Sequence, residues 1–257
     1  MPRPLRPDPA RFDPNPHPPP TVSQRTASAG GSHGELPERT YVKLRDLIIR
    51  GRLAPGERAV ETELARRFGI SRTPLRESLA RLTREGYLVS ATRGRRKELV
   101  VAPLDPAAVT ELWGIIGALE GFAIQAVGSM SSEERATLVP ELERLNADLV
   151  EASTARPRDN DVVFELQSAF HVCFMDRCAG PHLRSLYDSV RPHVQRYEWA
   201  YGTQSDAPYA PSIAEHREII ATIVDGDARA ARAALERHWA RGAERTTALI
   251  ARFRKPG

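Results

Sequence analysis

The sequence predicts a mainly α protein in two parts: an N-terminal winged helix-turn-helix domain, then an antiparallel all-α bundle. Three observations carry this reading. Positive charge is segregated, with sixteen Lys/Arg against seven acids in residues 39–104 and seventeen against twenty-two in 105–257. The basic segment holds three short helical patterns and then a hairpin pattern, each punctuated by glycine. From Asp105 onward helical periodicity runs with almost no strand signal. A compact basic module joined to an acidic one implies a polyanion-binding head on a body with another task.

The first 38 residues hold ten of the 21 prolines and no apolar periodicity, and they read as a disordered tail. The expected division is therefore 1–38 tail, 39–104 DNA-binding domain and 105–257 effector-binding and dimerisation domain. No uninterrupted apolar run approaches the roughly 18 residues that cross a bilayer, so no membrane partner is expected. The two cysteines, Cys173 and Cys178, lie five apart in a helical pattern, a spacing that suits a disulfide poorly. A reducing cytoplasm is the simplest setting.

In the segment "TYVKLRDLIIRGRL", Val42, Leu44, Leu47, Ile48 and Leu53 fall at helical spacing. The segment "APGE" forces a turn, and a second helix follows over 61–68 with Leu64, Ala65 and Phe68 inward. Gly69 stands where a left-handed C-cap is wanted. Ser71 is a good N-cap for a third helix over 72–85, whose Leu75, Leu79 and Leu82 form a stripe and which Gly86 ends. Two short strands around Gly94 complete the unit, the pattern of a winged helix-turn-helix. Bundle helices are expected over 106–128, 132–153, 160–178, 181–200, 212–224 and 227–252, with no internal repeat.

With its apolar stripe inward, the third helix projects Arg72, Thr73 and Arg76 from the end that meets base edges in the major groove. Arginine forks onto guanine, while Ser71, Thr73 and the helix-start N–H groups can hold phosphate. Arg66 and Arg67 extend the basic surface, and Arg93, Arg95, Arg96 and Lys97 surround Gly94 at the wing. The stretch "IIRGRLAPGERAVETELARRFGISRTPLRESLARLTREGYL" resembles the DNA-binding domain of the GntR family of bacterial transcription regulators. The resemblance runs through Gly51, Pro55-Gly56, Glu61, Leu64-Ala65, Gly69, Ser71-Arg72-Thr73-Pro74, Arg76-Glu77, Leu82 and Gly86. It implies DNA contacts from Ser71, Arg72, Thr73 and Arg76, with Gly94 at the wing tip. The wing is a few residues longer and more basic than the family's usual one.

The second half resembles the FCD ligand-binding domain of the FadR-type branch, through "GALEGFA", "AFHVCFMDRCAGPHL" and "EHREIIATIVDGDARAARAALERHW". His171, His216 and His238 each fall on the inward stripe of a different helix. One inward histidine is usually structural, but three that converge suit a transition metal, Zn or Ni among them. The resemblance implies an Asp-x-x-x-His pair and two further histidines as metal ligands. The three histidines occupy their places, and Gln167 stands where the carboxylate is expected. A neutral amide is a weaker ligand and does not offset the metal's charge. Relatives that bind organic acids often carry an Arg where this chain has Ile116, so Arg191 and Arg196 become candidate effector anchors. Trp113, Tyr197, Trp199 and Tyr201 are candidates for a cavity wall.

The expected function is a homodimeric transcription regulator, a repressor by the family's commoner habit, reading a palindromic double-stranded operator under control of a small-molecule effector. Two other classes fit parts of the sequence. A metal-dependent hydrolase with a DNA-binding head would need a general base, and no HExxH helix, Ser-His-Asp order or phosphate-cradling loop supplies one. A ligand-independent dimeric DNA-binding protein would need neither metal nor effector.

Overall fold

The computed structural model describes residues 35–93, 96–202 and 209–253. The DNA-binding half runs α1 (Glu35–Ile49), α2 (Glu61–Phe68), α3 (Arg72–Arg84), β1 (Leu88–Arg93) and β2 (Arg96–Val101). The helical half runs α4 (Ala107–Ala123), which tightens into a 3-10 turn (Ile124–Ser129), then α5 (Ser132–Thr154), α6 (Asn160–Cys178), α7 (Pro181–Gly202), α8 (Ala210–Asp225) and α9 (Ala228–Phe253). This is the mainly α, two-part architecture that the charge and periodicity predict.

Helix α1 begins at Glu35, inside the segment read as tail. Its early turns are tied to α3, where the Ser78 hydroxyl donates to the Pro37 carbonyl at 3.2 Å and Arg81 reaches Glu38 at 2.6 Å. The buried face of α1 keeps the expected Leu44 and Ile48 and differs at its start, where Tyr41 turns inward in place of Val42. Tyr41, Leu44 and Ile48 are buried, whereas Val42 is 44% exposed. The intervals of three and four residues fit one helical face better than a start at Val42, and the Tyr41 hydroxyl gains Glu85 at 2.5 Å as a partner. Gly69 closes α2 in the left-handed conformation at φ 63°, and its N–H returns to the Ala65 carbonyl. The strands pair antiparallel from Leu88↔Val101 to Arg93↔Arg96. Residues 56–59 add a short third pairing along β2 through Ala59 N to Leu99 O at 2.8 Å and Val101 N to Glu57 O at 2.8 Å.

In the bundle, α4 crosses α9 and α7, while α5 lies against α6 and α8. Two glycines set the closeness of the α4–α9 crossing. A Cβ on Gly117 would stand 3.0 Å from the Trp239 Cβ, and one on Gly242 would stand 3.1 Å from the Trp113 indole nitrogen. The α5 start is fixed by a capping box, with Glu134 N donating to Ser131 Oγ and Ser131 N donating to Glu134 Oε2. Asp159 caps α6 by accepting from the N–H groups of Asp161 and Val162.

The span Ala107–Ser129 is more apolar than an uninterrupted-run criterion shows. By length and composition it could cross a bilayer, with mean hydropathy 1.4 over its best window, 44% of which is buried within the fold. Glu111, Glu120 and its glycines break the run in the sequence. The two halves of the chain meet along α7. There Tyr87 stacks on His193 with centroids 4.3 Å apart, and Arg196 Nη2 donates to the Ala102 carbonyl at 2.7 Å. The Tyr197 hydroxyl accepts from Asp105 N and donates to Asp105 O, both at 3.0 Å.

Candidate DNA-reading face and metal centre

Burial of Leu75, Leu79 and Leu82 turns the opposite side of α3 to solvent, so Ser71, Arg72, Thr73 and Arg76 are exposed together at its N-terminal end. Ser71 occupies the N-cap position, yet its side chain makes no cap hydrogen bond, which leaves the hydroxyl and the first N–H groups for an anion. Arg72 and Arg66 have no ion-pair or hydrogen-bond partner among the described residues, and both are exposed. Arg76 differs. Its guanidinium forks onto Glu61 of α2, Nε at 3.3 Å and Nη2 at 3.2 Å, which holds the side chain in one direction above the exposed face. Glu61 raises the Arg76 pKa further through these bonds. At the wing, Arg96 and Lys97 are exposed on β2. Gly94 and Arg95 lie outside the described residues, as does the Arg93 side chain.

Within the bundle, the three sequence-predicted histidines converge. His171 from α6, His216 from α8 and His238 from α9 are all buried, and their ligand nitrogens lie within 4.8 Å of one another. Each ring is turned by an acceptor at Nδ1. His171 meets Glu120 Oε2 at 2.9 Å, His216 meets Asn146 Oδ1 at 3.2 Å, and His238 meets Glu215 Oε2 at 2.8 Å. An acceptor at Nδ1 fixes the Nδ1–H tautomer and leaves the Nε2 lone pair as the ligand atom. The Nε2 atoms of His171 and His216 are buried and lack any partner. Burial pushes the pKa of both rings well below the ordinary histidine value, so both are neutral, the form that binds metal. The ring of His216 is further pinned by stacking on Phe170 at 3.8 Å.

The three acceptors were not singled out as partners from the sequence. Glu120 is fully buried and also accepts from Trp239 Nε1 at 2.6 Å. Burial lifts its pKa to about 7 against the pull of Arg191 and Trp239. Glu215 is the opposite case. Burial works against its charge, but His238 and a two-pronged contact from Arg245, at 2.7 and 2.8 Å, outweigh this and hold it at about 2. Two neutral imidazoles with bare inward nitrogens, a third histidine beside them and an acceptor behind each ring are the donor set of a divalent transition metal, so the residues present fit such an ion.

A cavity of about 140 Å³ opens beside the cluster. Trp113, Phe164, Tyr197 and Trp239 give it aromatic walls, and Gln167, Glu198, His238 and Arg245 give it polar ones. Gln167 Oε1 is buried without a hydrogen-bond partner, one turn before His171 on α6. The sequence-proposed anchors are elsewhere. Arg191 does not line the cavity; it lies over the Trp239 ring and pairs with Glu198, its Nη1 2.8 Å from Glu198 Oε2. Arg196 is spent on the Ala102 carbonyl at the joint between domains. The cavity cation is Arg245, which the sequence reading did not weigh. Ile116 is fully buried in the core, Trp199 packs on Phe164 rather than lining the cavity, and the Tyr201 side chain lies outside the described residues.

A helix-turn-helix head with an exposed arginine face, joined to a bundle that encloses a ligand-ready histidine cluster, defines a ligand-responsive DNA-binding regulator. Residues 36–96 match the family described as bacterial regulatory proteins, gntR family, and residues 111–241 match the FCD domain, so the chain belongs to the GntR family and carries an FCD ligand-binding domain. It is accordingly a sequence-specific DNA-binding transcription regulator with an effector-binding helical domain, in a family of regulators rather than enzymes. An HTH-type transcriptional regulator from an unstable DNA locus of Streptomyces ambofaciens is 30% identical over 199 residues, covering 77% of this chain and 79% of that protein. The Nta operon transcriptional regulator of Aminobacter aminovorans is 26% identical over 145 residues, 56% of this chain and 65% of the relative. Among solved structures, E. coli McbR/YncC shares the fold at TM-score 0.68 and 20% identity, covering 85% of this chain and 98% of that one. A GntR transcriptional regulator from Rhodococcus sp. RHA1 does so at TM-score 0.62 and 19% identity, covering 82% and 96%.

Proposed function

We infer that the chain is a homodimeric repressor that reads a palindromic operator and answers to a small organic acid bound in the bundle beside a divalent metal. The observation that carries this is the buried three-histidine cluster opening onto an aromatic cavity inside a DNA-binding regulator. His171, His216 and His238 would hold Zn or Ni, with the Gln167 carbonyl oxygen beside them. When bound, the metal supplies a positive centre at the cavity wall that favours a carboxylate. Arg245 lines the same cavity and is the protein's own cation there, in preference to Arg191 or Arg196.

On DNA, Arg72 and Arg76 are assigned to base edges, Ser71 and Thr73 to phosphate at the helix start, and Arg66, Gly94, Arg95 and Arg96 to the flanking backbone or minor groove. One helix-turn-helix makes few base contacts, which favours two copies on a two-fold operator. The outer face of α4 supports a second copy, because Ile115 and Phe122 are 39% and 66% exposed on the most apolar helix among the described residues. The working division is a DNA-binding domain from about residue 35 to Ala102 and an effector domain from Asp105 onward. Action on DNA in the cytoplasm accords with two free cysteines.

Elemental analysis of tag-free protein, together with melting curves in Zn(II) and Ni(II), tests the site. One bound ion per chain and a raised melting temperature are expected. Metal-free protein with no thermal response to either ion would refute it.

A further inference from the structure

Arg50 directly follows α1 in the DNA-binding domain, yet its side chain reaches into the bundle. Its Nη1 donates to Asp161 and its Nη2 to Glu165, both on α6, while Nε donates to Asp46 at 2.9 Å. The guanidinium carbon lies 5.4 Å from the centre of the Phe164 ring and 5.5 Å from that of Trp199. Those two rings meet edge-on at 5.2 Å, one from α6 and one from α7. Arg50 is 16% exposed in this socket of two aromatic faces and three carboxylates.

The far side of the socket is the effector cavity. Phe164 belongs to both, with Arg50 against it and the cavity lined by it. Gln167 and His171 follow Phe164 along α6, and Glu198, which lines the cavity, directly precedes Trp199. Exposed ion pairs contribute little to stability by themselves. A planar guanidinium that forks onto two carboxylates and stacks on rings does something else, since it fixes direction. A ligand moves an equilibrium only through contacts that differ between two states. Phe164 offers such a contact, because a ligand that shifts the ring changes what Arg50 rests on.

We propose that Arg50 is the positioning residue that couples the bundle's metal and effector cavity to the orientation of the DNA-binding domain, through Phe164, which lines the cavity, and the Trp199 ring packed on it. This rests on the reading of the histidine cluster as a metal site. By linkage, anything that couples the two sites changes Zn(II) affinity and DNA affinity by the same factor.

The test uses the full chain and a duplex selected by it from random sequence. Zn(II) affinity is measured with and without saturating duplex. Wild type should show a ratio of about fivefold or more, the lower end of ordinary allosteric coupling. Arg50→Gln should bring the ratio below about 2 while free-protein Zn(II) affinity stays within about twofold of wild type. Glu165→Gln removes one socket carboxylate from an exposed position, leaves the fold intact, and should also lower the ratio. If wild type binds no Zn(II), the metal reading falls and this inference with it. If Zn(II) binds but wild type shows no ratio, or both variants keep the wild-type ratio, only the coupling role of Arg50 is overturned. A merely structural Arg50 would lower the melting temperature and leave the ratio unchanged.

Discussion

Asn146 gives the sharpest test of the metal centre, because it acts on the cluster without being a candidate ligand. It is buried on α5, where its Nδ2 donates to the Ile213 carbonyl at 3.3 Å and its Oδ1 faces His216 Nδ1 at 3.2 Å. The first bond settles the amide's direction, and the second therefore requires a proton on Nδ1 of His216. Asn146→Leu keeps the number and branching of the side-chain heavy atoms and removes that acceptor. His216 then loses the bond that selects its metal-binding tautomer, although Phe170 still holds the ring plane. Loss of such a partner typically weakens metal binding by about 10–100-fold.

The consequence can be worked through mass action. With free metal at 100 times the wild-type dissociation constant, binding stabilises the fold by about 2.7 kcal/mol. A hundredfold weaker site retains about 0.4 kcal/mol at the same concentration, and a tenfold weaker one about 1.4. For a domain of this size, 1 kcal/mol moves the melting temperature by roughly 2–4 °C. The metal-induced rise should thus fall from about 5–11 °C in wild type to about 1–2 °C if affinity drops a hundredfold. Each protein is compared with its own metal-free melt, so any change in intrinsic stability cancels. Asn146→Asp keeps an acceptor at the same place and should preserve the full rise. An unchanged rise in Asn146→Leu, or a lost one in Asn146→Asp, would show that the tautomer argument is wrong.

Gln167→Asp should tighten Zn(II) at least about tenfold in a chelator competition, since a carboxylate replaces an amide beside the ion. Arg72→Ala should cost about 1–3 kcal/mol on the selected duplex and relax preference at one base pair, whereas Arg96→Ala should weaken all sequences alike and flatten the salt dependence; equal losses on random DNA for Arg72→Ala would remove it from base reading. Gly117→Ala should destabilise the bundle by roughly 1–3 kcal/mol in urea unfolding, because its Cβ would meet Trp239 at 3.0 Å. Burial pushes the thiols of Cys173 and Cys178 up to about 12 and about 11. At pH 8 the folded Cys173 should therefore react with a disulfide reagent about a thousandfold more slowly than after unfolding.

Much of the architecture was legible because the chain carries its punctuation openly. Gly69, Gly86, Ser131 with Glu134, and Gly226 mark helix ends through backbone conformation or capping chemistry that few other residues supply. The start of α1 was hidden because Pro37 and its neighbours share the composition of the preceding segment, although a first helical turn tolerates proline. The three histidines were legible as inward positions on separate stripes. Their acceptors were not, because Glu120, Asn146 and Glu215 stand 51, 70 and 23 residues from the rings they orient. A signal existed for two of them. Glu120 and Glu215 are charged residues on otherwise inward faces, and a buried carboxylate demands a partner. No comparable signal separated Arg245 from Arg191 and Arg196, since all three are helical arginines whose burial depends on how the helices cross.

Gln167 decides less by its weakness as a ligand than by what it leaves unsatisfied. A buried carbonyl oxygen without a donor costs about 1–3 kcal/mol, and a bare buried imidazole nitrogen is in the same position. Gln167 Oε1 and His171 Nε2 on α6 and His216 Nε2 on α8 are three such atoms, and all three are acceptors. The two imidazole nitrogens belong to rings whose centroids lie 5.5 Å apart, and each ring's other nitrogen already has its acceptor. A divalent cation held by the cluster would give the two imidazole nitrogens the partner they lack. The carboxylates expected near position 167 stand instead one hydrogen bond further out, Glu120 behind His171 and Glu215, the more acidic of the two, behind His238. Placed there, the carboxylates would make His171 and His238 better donors to a bound metal without serving as its ligands.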